Sequence, residues 1–220
     1  MNSVLGLFAK WPQAGAVKTR LATDTSTEFA VRVADAFLGD SLERFASIPI
    51  RRILAFTPLQ QESSFASIAR TSWELEPQCD GDLGERLDRF FQTRFAEGCS
   101  RVVVLGTDSP TLPLEYVTDA LESLKHRDVV IGPATDGGYY LLGLSRPLPR
   151  LFQAIRWSAS DVLSQTVARL DAQLLALLPP WYDVDTGDDW AALCGHITAM
   201  RRAGLDPRVP RTELLIAESP

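Results

Sequence analysis

Histidine, cysteine and positive charge are all scarce in this sequence. Its 220 residues include two histidines and three cysteines. Cys79, Cys99 and Cys194 are odd in number, far apart and form no CxxC pair, which speaks against a disulfide framework and a structural zinc site. Neither His126 nor His196 has a second nitrogen ligand nearby, and His126 lies in a Lys-His-Arg run that reads as a solvated helix end. Chemistry therefore falls to carboxylates, lysine and arginine. Long apolar runs are missing too: no stretch approaches ~18 uninterrupted apolar residues, so no membrane span is expected. The opening MNSVLGLFAKWPQ has no basic stretch ahead of its apolar run and soon reaches Lys10. It reads as a first strand rather than a signal peptide, and a cytoplasmic location is the expectation. The 22 basic residues are outnumbered by 28 acidic ones, for a net charge of −6. Nucleic-acid binding by phosphate neutralisation needs a basic face and is not expected. A locally basic pocket for a small phosphorylated ligand stays compatible with that balance.

What is present is ordinary globular material. An apolar fraction of 45% and a charged fraction of 23% exclude a disordered, collagenous or coiled-coil chain. The length suits one domain spanning 1–220. Short apolar runs read as strands at Ser3 to Ala9, Arg52 to Phe56, Trp73 to Glu76 (edge-like), Arg101 to Leu105, Asp128 to Ile131 and Tyr139 to Leu144. Between them, apolar residues recur at helical spacing over Ser26 to Phe45, with N-cap candidates at Asp24, Thr25 and Ser26. Further helices are expected over Glu62 to Arg70, Gly84 to Glu97, Leu114 to Lys125, Ser158 to Leu170 and Asp188 to Ala203. The segment Gln173 to Leu178 is ambiguous, and the Pro-rich tail after Gly204 reads as lacking a regular element. Strands separated by helices predict an α/β protein, a parallel sheet covered on both faces.

In such sheets ligands bind beyond the carboxyl ends of the strands, so the loops there carry the functional reading. The loop after the first strand, Lys10-Trp-Pro-Gln-Ala-Gly15-Ala-Val-Lys18-Thr19-Arg20, sets three cations and a glycine together in an acidic protein. That composition suits a pyrophosphate, although it matches neither the P-loop nor the Rossmann glycine pattern, and a solvated surface loop is the plain alternative. After the RVVVL strand comes Gly106-Thr107-Asp108-Ser109-Pro110. Asp108 suits a divalent-metal ligand shared with substrate phosphates, or else caps the next helix. Late in the chain, Asp183-Val184-Asp185 alternates so that an extended backbone points both carboxylates to one side. A second metal ligand can come from this pair, whereas Asp188 and Asp189 suit a helix N-terminus. Glycine-bearing turns at Gln78 to Arg86 and at Asp136-Gly137-Gly138 allow close backbone approach to a ligand or are simply tight turns.

Taken in order, the Lys-rich loop, GDLGERL, GTDSP, DGGYYLLG, a Trp-Ser pair and DVDTxxD resemble one family. They are similar to the small GT-A-fold nucleotide-diphospho-sugar transferase-like proteins, known as radical-SAM/selenodomain-associated transferases or simply glycosyltransferases. The match runs from about Val4 to about Leu193. A more distant likeness links Val17 to Leu21 with phospholactate guanylyltransferases. The resemblance implies a three-layer α/β/α domain with a mostly parallel mixed sheet. It implies Mg²⁺ or Mn²⁺ on Asp108 and Asp185, with GTD offering one carboxylate in place of the usual DxD. Lys10, Gly15, Lys18, Thr19 and Arg20 would hold phosphate, Lys18, Arg20 and Asp108 being catalytic. Gln78, Gly81 and Gly84 would lie near the base, and Asp136, Gly137 and Gly138 would face an acceptor or sugar. The implied partners are a nucleotide or nucleotide-sugar and a small-molecule acceptor. Glycosyl transfer is the first reading, nucleotidyl transfer with release of pyrophosphate the second, and a non-catalytic nucleotide-binding protein the third.

Overall fold

The computed structural model describes residues 2–170 and 174–218. The β-branched and leucine-rich runs build one seven-stranded sheet from β1 (Ser3–Lys10), β2 (Arg51–Thr57), β3 (Glu74–Pro77), β4 (Arg101–Leu105), β5 (Val129–Pro133), β6 (Tyr139–Leu144) and β7 (Leu175–Leu177). Their spatial order is β3-β2-β1-β4-β6-β5-β7. Neighbours run parallel except β6, which is antiparallel to both β4 and β5. The sheet is therefore mixed and mostly parallel, as the family resemblance implies. Only residues 134–138 join β5 to β6, which is too short for a crossover, so the pair closes as a hairpin.

Among the described residues, eight α-helices connect and cover the strands: α1 (Thr19–Asp24), α2 (Thr27–Phe45), α3 (Glu62–Ala69), α4 (Leu83–Ala96), α5 (Leu114–Ser123), α6 (Val162–Val167), α7 (Gly187–Arg202) and α8 (Pro210–Glu218). The two-residue period of the strands sorts the core by face. Leu5, Leu7, Leu54, Phe56, Val103 and Leu105 meet Leu38 and Leu42 of α2, Phe65 of α3 and Val117 of α5 on one side. Val4, Ile53, Ala55, Val102 and Val104 meet Leu87, Phe90 and Phe91 of α4 on the other. The aromatic stripe of α4 is thus core, as its spacing indicates. A third cluster joins Leu21, Val33 and Phe37 to Val184, Trp190 and Leu193.

The caps follow the sequence closely. Ser26 accepts from the Phe29 amide at 3.1 Å and starts α2. Asp82 with Glu85, and Thr186 with Asp189, form reciprocal capping boxes at α4 and α7. Asp24 instead accepts from the Gly187 amide at 2.8 Å, tying α1 to the start of α7.

Three expectations at element level are corrected. The first loop ends in helix α1, whose single buried side chain, Leu21, gives too short an apolar pattern to register. The helix foreseen from Ser158 shrinks to α6, because Ser158 adopts a left-handed φ of 66° that no helix continues through. The tail forms α8, and its Leu215 and Ile216 pack on the third cluster. Of the ambiguous segment, Leu175–Leu177 is strand β7 and Gln173 lies outside the described residues, as do Ser219 and Pro220 of the tail. Among the described residues, no helix is long and apolar enough to cross a membrane.

Candidate active site

β1 and β4 lie side by side, but the chain leaves β1 toward β2 on one side and leaves β4 toward the other half of the sheet. A crevice opens beyond their carboxyl ends at this switch point. It holds a cavity of about 450 Å³ whose polar lining includes Lys10, Lys18, Gln78, Arg86, Asp108 and Asp185. Phe8, Leu83, Leu87, Tyr139 and Tyr140 supply apolar and aromatic surface.

Lys18 is the centre of the arrangement. Its ammonium donates to Asp108 Oδ1, to the Val184 carbonyl at 2.6 Å and to Asp185 Oδ1 at 3.1 Å. The Phe37 ring lies 5.5 Å from the same nitrogen. Burial works against the charge, but Asp108 and Asp185 outweigh it and hold the Lys18 pKa above the ordinary lysine value. The Val184 amide donates to the Asp108 carbonyl at 3.0 Å, so the late segment is pinned to the loop after β4. One residue earlier, half-buried Asp183 accepts from the Ser109 hydroxyl. Burial pushes its carboxyl up to about 7, the Ser109 bond opposes this, and the charges of Asp108 and Asp136 add to it.

Gln78 braces the opposite wall. Its side-chain amide donates to the Ala55 carbonyl at 2.7 Å and the Ala9 carbonyl at 3.4 Å, locking the ends of β1 and β2. Its carbonyl oxygen accepts from Arg86 at 3.2 Å, and Arg86 also donates to the Gly81 carbonyl at 3.0 Å. Arg86 is the lining cation that sequence reading missed. Its signal was a basic residue one turn into the helix opened by a glycine-bearing loop.

The structure thus brings Lys10, Lys18, Gln78, Asp108 and Asp185 into the lining of one cavity. Gly15, Thr19, Arg20, Gly81, Gly84, Asp136, Gly137 and Gly138 lie outside that lining. Arg20 stays near, its guanidinium 4.0 Å from Asp185 and largely exposed. Gly84 serves packing: a Cβ there would sit 2.7 Å from the Trp157 indole nitrogen. Gly137 has φ of 94°, and a Cβ would fall 1.8 Å from the Ser160 carbonyl oxygen, so it too answers a backbone contact. Asp136 accepts from the Gly138 amide at 2.8 Å and shapes that turn.

The donor set bears on the metal. Two carboxylates from distant segments converge on one cationic centre, while no group of three or more His, Cys, Asp or Glu side chains suited to a metal occurs among the described residues. Two carboxylates fit Mg²⁺ or Mn²⁺ held jointly with water and substrate phosphates, not an all-protein cage.

A family model described as "Uncharacterized protein conserved in bacteria (DUF2064)" matches residues 41–159. A crystal structure from Desulfovibrio desulfuricans G20, provisionally described as a nucleotide-diphospho-sugar transferase, is 32% identical, with 99% of this chain and 98% of that one covered and a TM-score of 0.87. The chain belongs to this family. A cytidylyltransferase from Leptospira borgpetersenii superposes at a TM-score of 0.59 with 14% identity, over 99% of this chain and 95% of that one. CMP:2-keto-3-deoxy-manno-octonic acid synthetase, solved with CTP, superposes at 0.52 with 12% identity, over 93% and 100%. At such identities these two speak for the fold alone, and with the family member they identify it as the nucleotide-diphospho-sugar transferase fold. No curated protein matches the chain in sequence.

Proposed function

We propose that this family member is a metal-dependent transferase that uses a nucleotide-sugar donor and passes the sugar to a small-molecule acceptor. The reading rests on one observation: Asp108 and Asp185, from two loops far apart in the sequence, meet at the mouth of a cavity that also presents Lys10 and Arg86. Asp108 and Asp185 would hold Mg²⁺ or Mn²⁺, which when bound neutralises charge on donor phosphates. Lys10 and Arg86 would take the remaining phosphate charge, and Gln78 keeps Arg86 aimed at the cavity. Leu83, Leu87 and the tyrosines exclude water from the donor and leave the apolar part of the cavity for a base or sugar ring. The description of the 32% identical relative agrees with this reading.

Nucleotidyl transfer is the second reading, and one feature favours it. The loop after β4 offers the single carboxylate Asp108 where the DxD of a typical glycosyltransferase would offer two. A thermal-shift panel of nucleoside triphosphates and nucleotide-sugars, each with Mn²⁺, Mg²⁺ or EDTA, separates the two. A ligand at about 100 times its dissociation constant adds roughly 2.7 kcal/mol of stability. Metal-dependent stabilisation by one nucleotide-sugar or its diphosphate supports glycosyl transfer. Stabilisation by one triphosphate alone moves the assignment to nucleotidyl transfer, and silence from a folded protein rejects both. Once the donor is known, Asp108→Ala is expected to lower turnover about a hundredfold or more with the fold retained. Full activity in that variant removes the metal role.

A further inference from the structure

Lysines near phosphate sites are expected to offer a free ammonium to the ligand, and Lys18 does not. An ammonium has three donors and no acceptor. All three are spent here, on Asp108, on Asp185 at 3.1 Å and on the Val184 carbonyl at 2.6 Å. The Lys18 side chain is 4% exposed, whereas Asp108 and Asp185 are 51% and 37% exposed. The carboxylates therefore face the cavity and solvent while the cation that neutralises them lies beneath. No donor of Lys18 is left for a phosphate unless it first lets go of the pair.

From this geometry we infer that Lys18 is a resident counter-ion: it occupies the cationic position between Asp108 and Asp185 and keeps the pair from taking a divalent cation until a nucleotide arrives. The inference rests on the proposed function and adds an order of binding to it. With Lys18 in place the two carboxylates carry a net charge of about −1, a weak attraction for a free divalent ion in water. A nucleotide's phosphates offer the ammonium an equally strong anionic partner and bring their own oxygens to the metal. The long, rotatable lysine stem can exchange one set of acceptors for the other without moving the sheet. Metal and nucleotide then enter together, and Lys18 passes from the carboxylates to the phosphates.

The experiment is Mn²⁺ titration of the folded protein followed by electron paramagnetic resonance, with no nucleotide present. Wild type is expected to bind Mn²⁺ no better than Asp108→Ala. Lys18→Met is expected to bind at least about tenfold more tightly than wild type, because a repelling charge within hydrogen-bond distance of both ligands is gone. The double variant Lys18→Met/Asp108→Ala is expected to lose the gain, which assigns it to this pair. Lys18→Gln, a neutral side chain that keeps a donor for the Val184 carbonyl, serves if the methionine variant does not fold. Wild type that binds Mn²⁺ saturably and in an Asp108-dependent way on its own overturns the inference. So does a Lys18 variant whose Mn²⁺ affinity falls or stays level, which makes Lys18 a positioning residue for the carboxylates. If Mn²⁺ binding to wild type plus a stabilising nucleotide still depends on Asp108, only the counter-ion role has failed. If it does not, the metal reading of the site falls with it.

Discussion

Asp40 is a fully buried carboxylate in the middle of α2 whose partners lie 171 and 172 residues further along the chain. It accepts from the Arg211 amide at 3.0 Å, the Thr212 amide at 2.9 Å and the Thr212 hydroxyl at 2.7 Å, capping α8 from another helix. Asp40→Ala strands the buried Thr212 donors and is expected to cost about 1–3 kcal/mol in urea unfolding. Burial raises the Asp40 pKa, and the three hydrogen bonds only partly oppose it. A folded value above the unfolded one makes the group's contribution complete below about pH 4, and that contribution is lost as pH rises through the folded value. The stability advantage of wild type over Asp40→Asn should therefore shrink from pH 4 toward pH 7. An advantage that grows over that range would mean that the fold prefers the charged carboxylate. At this scale the sequence showed which side chains can do chemistry, and Lys18, Asp108 and Asp185 were all visible as candidates. What Lys18 touches was not visible, because its acceptors lie 90 and 167 residues away.

At the scale of elements, local pattern and tertiary demand agree for α2, α4 and α7. Their apolar spacing and capping residues are both written into consecutive residues. They disagree at α8, where a proline-rich stretch hid a helix stabilised mainly by its docking on α2. Val209 and Leu215 are buried there beside Phe37 and Trp190. A chain ending at Gly204 loses both side chains and the partners of Asp40. It is expected to be less stable by on the order of 4 kcal/mol, read as a lower urea midpoint. An unchanged midpoint would show that α8 contributes nothing to the fold. The reversal of β6 belongs to the same scale: the run of apolar residues announced a strand, but strand direction follows from the length of the connection before it.

For the molecule as a whole, the site exists because β1 and β4 are neighbours at the centre of the sheet. Both are covered by helices on two faces, so their amides should open only with global unfolding. Hydrogen exchange is expected to be slowest at residues such as Leu5, Leu7, Val103 and Val104. It should be faster in the short edge strands β3 and β7, where Leu177 is 62% exposed. Protection of β7 equal to that of β1 would count against this hierarchy. The acidic surface and the cations of the cavity coexist because the net charge of −6 is a property of the whole surface, whereas Lys10, Lys18 and Arg86 are gathered by the sheet.

The sequence by itself determined the layered α/β class, most strand positions, the core stripe of α4 and the loops whose charged residues line the cavity. Periodicity, caps and strand-end motifs are local properties, and hydrophobic burial obeys them wherever they recur. Only the tertiary structure decided which of those loops meet. It directed Gly84 and Gly137 to packing, brought Arg86 into the cavity wall and spent the Lys18 ammonium on two aspartates. The physical reason is range: hydrogen bonds and ion pairs act over a few ångströms, and residues far apart in the chain come within that distance only when the sheet has set its strand order.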